Sequence, residues 1–144
     1  MTDPDSAGVL LHATSVAVDR AGVLILGPSG SGKSSLALAL LSLGARLIAD
    51  DRTIVRRSDD LLWATVPPAL SGRIEARGVG ILGAETAPPT PLRLVVDMGQ
   101  LETGRLPPLR QQQILGIDLP CLHKNDGTHF HMAIWQYMKC GRIA

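Results

Sequence analysis

Eight consecutive residues, Gly27-Pro28-Ser29-Gly30-Ser31-Gly32-Lys33-Ser34, satisfy G-x-x-x-x-G-K-[ST] at every fixed position. Glycines at those places let the backbone curl until successive N–H groups converge on one point, where phosphate oxygens fit. A helix that starts near Lys33 aims the positive end of its dipole at the same point. The Lys33 ammonium is then a mobile cation for the outer phosphates, and the Ser34 hydroxyl is a ligand for Mg²⁺. The flanks restrict the chain further. Val23-Leu24-Ile25-Leu26 is an unbroken apolar run suited to a strand buried on both faces. Ser34–Leu43 is a run of helix formers that stops at Gly44. A glycine turn with no ligand would also precede a helix, but strand, loop and helix in this order specify a nucleotide phosphate site of an α/β fold. The helix is apolar on nearly every face, so it is expected to be covered.

Around this unit the pattern supplies further strands. Residues 9–18 suit a first strand, and Asp19–Gly22 a turn. Arg46–Ala49 forms the next strand and ends in Asp50-Asp51. Thr53–Val55 and Leu61–Val66 read as a hairpin around Ser58-Asp59-Asp60. Arg73–Leu82 reads as one segment, charged first and apolar later. Leu92–Val96 is a strand after a proline connector, and residues 99–110 a surface loop. Gln111–Leu119 carries no clear period, His129–Ile134 alternates, and Ala133–Cys140 suits a terminal helix packed through Trp135 and Met138. No internal repeat or domain boundary is visible, so residues 1–144 are expected to form one domain.

Composition excludes several function classes. With one Phe, one Tyr and two Trp there is no supply of aromatics for a base-stacking surface. A net charge of +1 gives no field for nucleic acid or anionic lipid, so neither is expected as a partner. The apolar stretch from Leu36 to Leu43 is far short of a membrane span, and the polar start Met-Thr-Asp-Pro-Asp-Ser carries no export signal. Two cysteines make no disulfide framework, so a reducing, cytoplasmic setting is expected.

A phosphate loop needs an acidic partner. Two strands offer one at their ends: Asp97 after Leu92–Val96, and the Asp50-Asp51 pair. Neighbours on a strand point to opposite faces, so only one of that pair is expected to face the phosphates. Spacing alone does not choose between the two strands. Cys121, His123, His129 and His131 form no recognised zinc spacing and read as ordinary strand residues.

With these residues in view the chain resembles the catalytic domain of HPr kinase/phosphorylase, which acts on a serine of the phosphocarrier protein HPr. Four blocks carry the resemblance: His12 with Gly22–Ile25, the loop and helix of Gly27–Leu43, Gly44–Arg52 with its Leu-Ile-Ala-Asp-Asp, and Ile74–Leu82 with its Glu-Ala-Arg-Gly-Val-Gly-Ile. They run from about residue 9 to 83. The resemblance implies an α/β P-loop kinase domain of the HPr kinase/phosphoenolpyruvate carboxykinase-like type, a mixed sheet with the P-loop helix packed against it. It implies ATP and Mg²⁺, with Gly27, Pro28, Ser29, Gly30, Ser31, Gly32, Lys33 and Ser34 around the nucleotide, and Ser34 and Glu75 on the metal. Lys33 would hold the transferring phosphoryl group. Asp51, supported by Asp50, would take the proton from the serine hydroxyl. His12 would lie near the transferred phosphate, and Arg77 would stabilise its charge. An HPr-type protein is the implied partner, and a homo-oligomer the implied state, since the family is hexameric.

The family's amino-terminal domain and its final segment, associated with phosphate removal, have no match here, so the resemblance implies the short kinase form. The family's late Gly-Arg-Asn segment also has no match. The neighbourhood reads His123-Lys124-Asn125-Asp126-Gly127. Two other readings compete: a P-loop kinase of a small metabolite, and a sensor that binds ATP without transferring phosphate. The fate of the γ-phosphate discriminates all three.

Overall fold

The computed structural model describes residues 8–144; the polar start of the chain, residues 1–7, lies outside the described residues. Among the described residues eleven strands and two α-helices follow in the order β1 (Val9–Leu11), β2 (Ala13–Val18), β3 (Ala21–Leu26), α1 (Lys33–Ser42), β4 (Arg46–Ala49), β5 (Thr53–Ser58), β6 (Leu61–Thr65), β7 (Arg73–Ala76), β8 (Gly80–Gly83), β9 (Thr90–Leu101), β10 (Arg110–Ile114), β11 (Ile117–Lys124) and α2 (Phe130–Cys140). Nine of the strands join one mixed sheet, while β7 and β8 pair only with each other.

The long strand β9 organises the sheet. It pairs in parallel with β3 on one side, Leu26 opposite Asp97, and in parallel with β11 on the other, Cys121 opposite Val95. Its first residues pair antiparallel with β6. β2 lies antiparallel to both β3 and β4, so β4 runs in the same direction as β3. The carboxyl ends of β3, β4, β9 and β11 therefore share one edge, and the phosphate loop springs from it.

The apolar strands read as continuous runs because both of their faces are covered. Val16, Ile25, Leu94 and Val96 pack with Leu36 and Leu40 of α1 and Ile134 and Met138 of α2. On the opposite face Leu24, Ile48 and Val95 pack with Val55, Leu62 and Leu119. Each fully buried Leu or Ile contributes roughly 1.5–3 kcal/mol of transfer free energy. The mixed sheet with α1 against it is the architecture anticipated.

Several boundaries differ from the sequence expectation. Residues 9–18 are two strands separated by a bend at His12, because β1 leaves to pair with β5 while β2 stays beside β3. Arg73–Leu82 is a hairpin, its turn made possible by Gly78 at φ 80°. β9 runs on to Leu101, so the loop begins only after it. Gln111–Leu119 belongs to the β10–β11 hairpin, and His131 lies in α2, whose cap is His129, so those histidines are not strand residues. The helix α1 is not wholly covered either: Leu38 is 37% exposed, and so is Leu43 at its carboxyl-terminal cap. Met138 is buried and Trp135 packs against the core, as the terminal-helix reading required.

Candidate active site

The loop from Gly27 to Gly32 leaves β3 and enters α1. Gly27 has φ 147°, and a Cβ there would stand 2.5 Å from Ser31 Oγ and 3.0 Å from Met98 Cβ, so no side chain fits. Gly32, the residue before the helix, is left-handed at φ 98°, which turns the chain into α1 at low cost only for glycine. The Ser31 N–H donates to the Pro28 carbonyl at 3.1 Å and closes the crown of the loop. The Lys33 ammonium donates to the carbonyls of Gly27 at 2.7 Å and Pro28 at 3.1 Å. The first turn of α1 carries no acidic residue, so nothing there offsets the dipole.

Two acidic side chains beside the loop come from the end of β4. Asp50 and Asp51 both lie just beyond the strand, and Asp51 takes a left-handed φ of 67°. Strand alternation therefore does not govern them, and both reach the site by different routes. The Asp50 carboxylate accepts from the Ser34 hydroxyl at 2.6 Å, from the Thr14 hydroxyl at 3.1 Å and from the Glu75 backbone N–H at 2.9 Å. It ties the loop, β2 and β7 together. Among the described residues the Asp51 carboxylate accepts no hydrogen bond, while its N–H donates to Thr14 Oγ1 at 3.1 Å.

Asp51 lines a cleft of about 310 Å³ with Ser29, Gly30, Gly32, Lys33, Ser34, Ser35, Glu75 and Arg77. Five of the residues singled out for chemistry, Lys33, Ser34, Asp51, Glu75 and Arg77, thus face one space. Asp50 stands behind it. His12 is exposed at the bend before Ala13, which pairs with Leu26, so it belongs to the same edge of the sheet but does not line the cleft. Asp97, the rival acid, sits beside Leu26, where its Oδ1 accepts the Gly99 N–H at 2.8 Å; it does not line the cleft.

Three contributors escaped sequence reasoning. Thr14 is fully buried on β2 and links Asp50 to Asp51. Met98 packs behind Gly27 and Gly32. Lys124, at the end of β11, donates to the Ser31 carbonyl at 3.3 Å. Thr14 had a signal, a hydroxyl inside an apolar strand, whereas the other two depend on chain segments meeting across the fold. Among the described residues no group of three His, Cys, Asp or Glu side chains is placed to hold a metal by itself, and no helix is long and apolar enough to cross a membrane. Cys121 is buried in β11, and burial, reinforced by the charge of Asp97, pushes its thiol above the ordinary 9.0.

A mixed sheet, a phosphate loop opening the helix, and acidic side chains at the end of β4, one strand removed from the loop's own, define a P-loop kinase-type domain. The chain belongs to the family described as HPr Serine kinase C-terminal domain, whose model matches residues 6–102, more than half of its length. Among curated proteins it is 46% identical over 72 residues to the HPr kinase/phosphorylase of Clostridium botulinum, a stretch that is 50% of this chain and 24% of the relative. It is 47% identical over 75 residues to the HPr kinase/phosphorylase of Stenotrophomonas maltophilia, covering 51% of this chain and 24% of that one. The matched segment thus spans about a quarter of the curated relatives. The solved structure of the Hpr(Ser) kinase/phosphatase from Coxiella burnetii superposes with a TM-score of 0.77 at 25% identity, covering 91% of this chain and 94% of that one.

Proposed function

We propose that this chain is an ATP-dependent protein serine kinase whose acceptor is an HPr-type phosphocarrier protein. The observation that carries the reading is the single cleft lined by Lys33, Ser34, Asp51, Glu75 and Arg77, since phosphoryl transfer needs positioning and charge neutralisation at one point. The loop N–H groups and the end of α1 bind the phosphates. Lys33 carries the charge of the outermost phosphoryl group, and Arg77 stabilises the charge that spreads over its oxygens during transfer.

Asp51 is the base. Its carboxylate faces the cleft without a protein donor among the described residues, so it is available to accept the serine hydroxyl proton. Asp50, with three donors already on its carboxylate, is a positioning residue for Ser34 and for the β7–β8 hairpin. The oxygen donors of Ser34 and Glu75 suit a hard cation, and they would hold Mg²⁺, which supplies neutralisation of phosphate charge. His12 stands at the rim of the edge, in reach of an arriving acceptor rather than of the loop.

Incubation with γ-labelled ATP and HPr tests the reading. Label is expected on an HPr serine, and Lys33→Ala is expected to abolish it. Label on a small molecule would make the chain a metabolite kinase, and binding without transfer would make it a sensor. Label on HPr at the wild-type rate with Lys33→Ala would refute the loop's role.

A further inference from the structure

The crown of the phosphate loop is held from behind by a residue that lies 93 positions away in the chain and beyond residues 6–102 of the family match. β11 follows β9 in register through His123 opposite Asp97, then slips so that Lys124 stands opposite Leu101. The Lys124 carbonyl accepts the Glu102 N–H at 2.8 Å, which fixes the base of the side chain at the sheet edge. From there its ammonium reaches the loop and donates to the Ser31 carbonyl at 3.3 Å. The side chain is 33% exposed, and an acidic neighbour, Asp126, is 3.9 Å away and mostly in solvent. Such an exposed pair contributes little.

The loop needs a hold at this point. Its N–H groups must face the phosphates, which turns its carbonyls outward to find other donors. The Gly27 and Pro28 carbonyls use Lys33, but that ammonium has only three N–H donors and is also the one that must serve the nucleotide. Ser31 brings no help of its own, because its hydroxyl is buried and has no hydrogen-bond partner among the described residues. Among the described residues, the Ser31–Pro28 turn bond and the contact to Lys124 are the hydrogen bonds that fix the residue before the left-handed Gly32.

We propose that Lys124 is a positioning residue for nucleotide binding: its ammonium clamps the Ser31 carbonyl and keeps the loop in the shape that receives phosphates. It does not line the cleft, so it acts through Ser31 and not on the nucleotide. A loop that must first be ordered binds more weakly by the fraction of time it is competent, whatever the number of phosphates beyond the loop. Lys124 therefore favours ADP and ATP alike.

The inference rests on the loop being a nucleotide site, and its binding test needs no acceptor protein. Titration calorimetry of the whole chain with Mg-ADP and Mg-ATP compares wild type, Lys124→Met and Lys124→Arg. Lys124→Met is expected to raise both dissociation constants by about three- to tenfold, less than a fully buried charged hydrogen bond delivers because water reaches a third of the side chain. Lys124→Arg restores both to within about twofold, since a guanidinium also donates to a carbonyl. In transfer assays the loss appears in KM for ATP more than in kcat, and the melting temperature without nucleotide moves by less than about 2 °C. Unchanged affinities in Lys124→Met would overturn the clamp. So would a loss confined to ATP, which would put the ammonium on the last phosphate, or a lowered melting temperature that Arg does not rescue. Wild type that binds nucleotide without phosphorylating HPr would refute the kinase reading alone, while wild type that binds neither nucleotide would refute both.

Discussion

The Asp50 carboxylate is where the site and the β7–β8 hairpin are joined, and Asp50→Asn isolates that joint. The substitution keeps the size of the side chain. Its remaining oxygen can still accept from Ser34 at 2.6 Å and Thr14 at 3.1 Å, so the amide nitrogen must take the place of the oxygen that now faces the Glu75 N–H at 2.9 Å. Two donors then oppose each other. The lost bond to Glu75 costs about 1 kcal/mol, because Glu75 is exposed and water replaces part of what is lost. The two hydroxyl bonds lose their charge assistance, together about another 1 kcal/mol. The sum is about 2 kcal/mol, or a fall in melting temperature of roughly 4–8 °C for a chain of this size.

Urea unfolding gives the first number, and hydrogen exchange resolves where it arises. β7 and β8 pair with no strand of the large sheet, so the hairpin relies on the burial of Ile74, on the Leu47–Thr86 bridge beyond it, and on Asp50. The Glu75 amide in Asp50→Asn is expected to exchange about five times faster, the equivalent of about 1 kcal/mol of local opening, with β3 and β9 amides following only the global change. Asp51→Asn is the control. Its carboxylate holds no donor among the described residues, so stability is expected to stay within about 0.5 kcal/mol while transfer is lost. If Asp50→Asn unfolds within about 0.5 kcal/mol of wild type and Glu75 exchanges at its old rate, the carboxylate does not hold the hairpin and the division of labour between the two acids fails.

Two other outcomes follow from single sites. Gly27→Ala is expected to cost more than about 2 kcal/mol and to abolish nucleotide binding, because its Cβ would meet Ser31 Oγ at 2.5 Å and Met98 Cβ at 3.0 Å; a variant that melts and binds like wild type would show that the loop can shift. Of the two free thiols, exposed Cys140 is expected to react at once with a thiol reagent and buried Cys121 only after denaturation. The folded Cys121 thiol titrates above its unfolded value of 9.0, so its contribution to stability is complete below that pH and is lost as pH rises past it. Cys121→Ala flattens that alkaline decline, and an unchanged decline would assign it elsewhere.

Much of the site was legible because its chemistry is local in the chain. β3, the loop and α1 form one continuous stretch, and the Asp pair follows after a single strand, so residue type and order were enough. Asp50 and Asp51 were legible as acids following a strand, but their placement was not: Asp51 turns at φ 67° just beyond β4, so strand alternation does not set it, and a backbone angle leaves no mark when the residue is Asp. Glu75 and Arg77 could be read only through the resemblance, because on a hairpin outside the main sheet their charges have no periodic pattern to follow. The carboxyl-terminal third was illegible for another reason. Leu115 and Gly116, both at positive φ, make the β10–β11 turn, but the strands they join alternate weakly, and the histidines at the start of α2 imitate an alternating strand.

That illegible third nonetheless completes the seat of the loop. Parallel strands deliver their carboxyl ends to one edge, where backbone groups are left free and a ligand can approach. Here β3 supplies the loop itself, β4 the acids, β9 the Met98–Gly99 wall behind Gly27, and β11 the lysine on Ser31. Only the first two are close to the loop in the chain. The other two arrive because β9 pairs in parallel on both of its sides, and no short-range signal specifies that pairing. A motif can therefore declare a phosphate site from eight residues, while the rigidity that makes it bind well is set about a hundred residues later, by how the sheet closes around it.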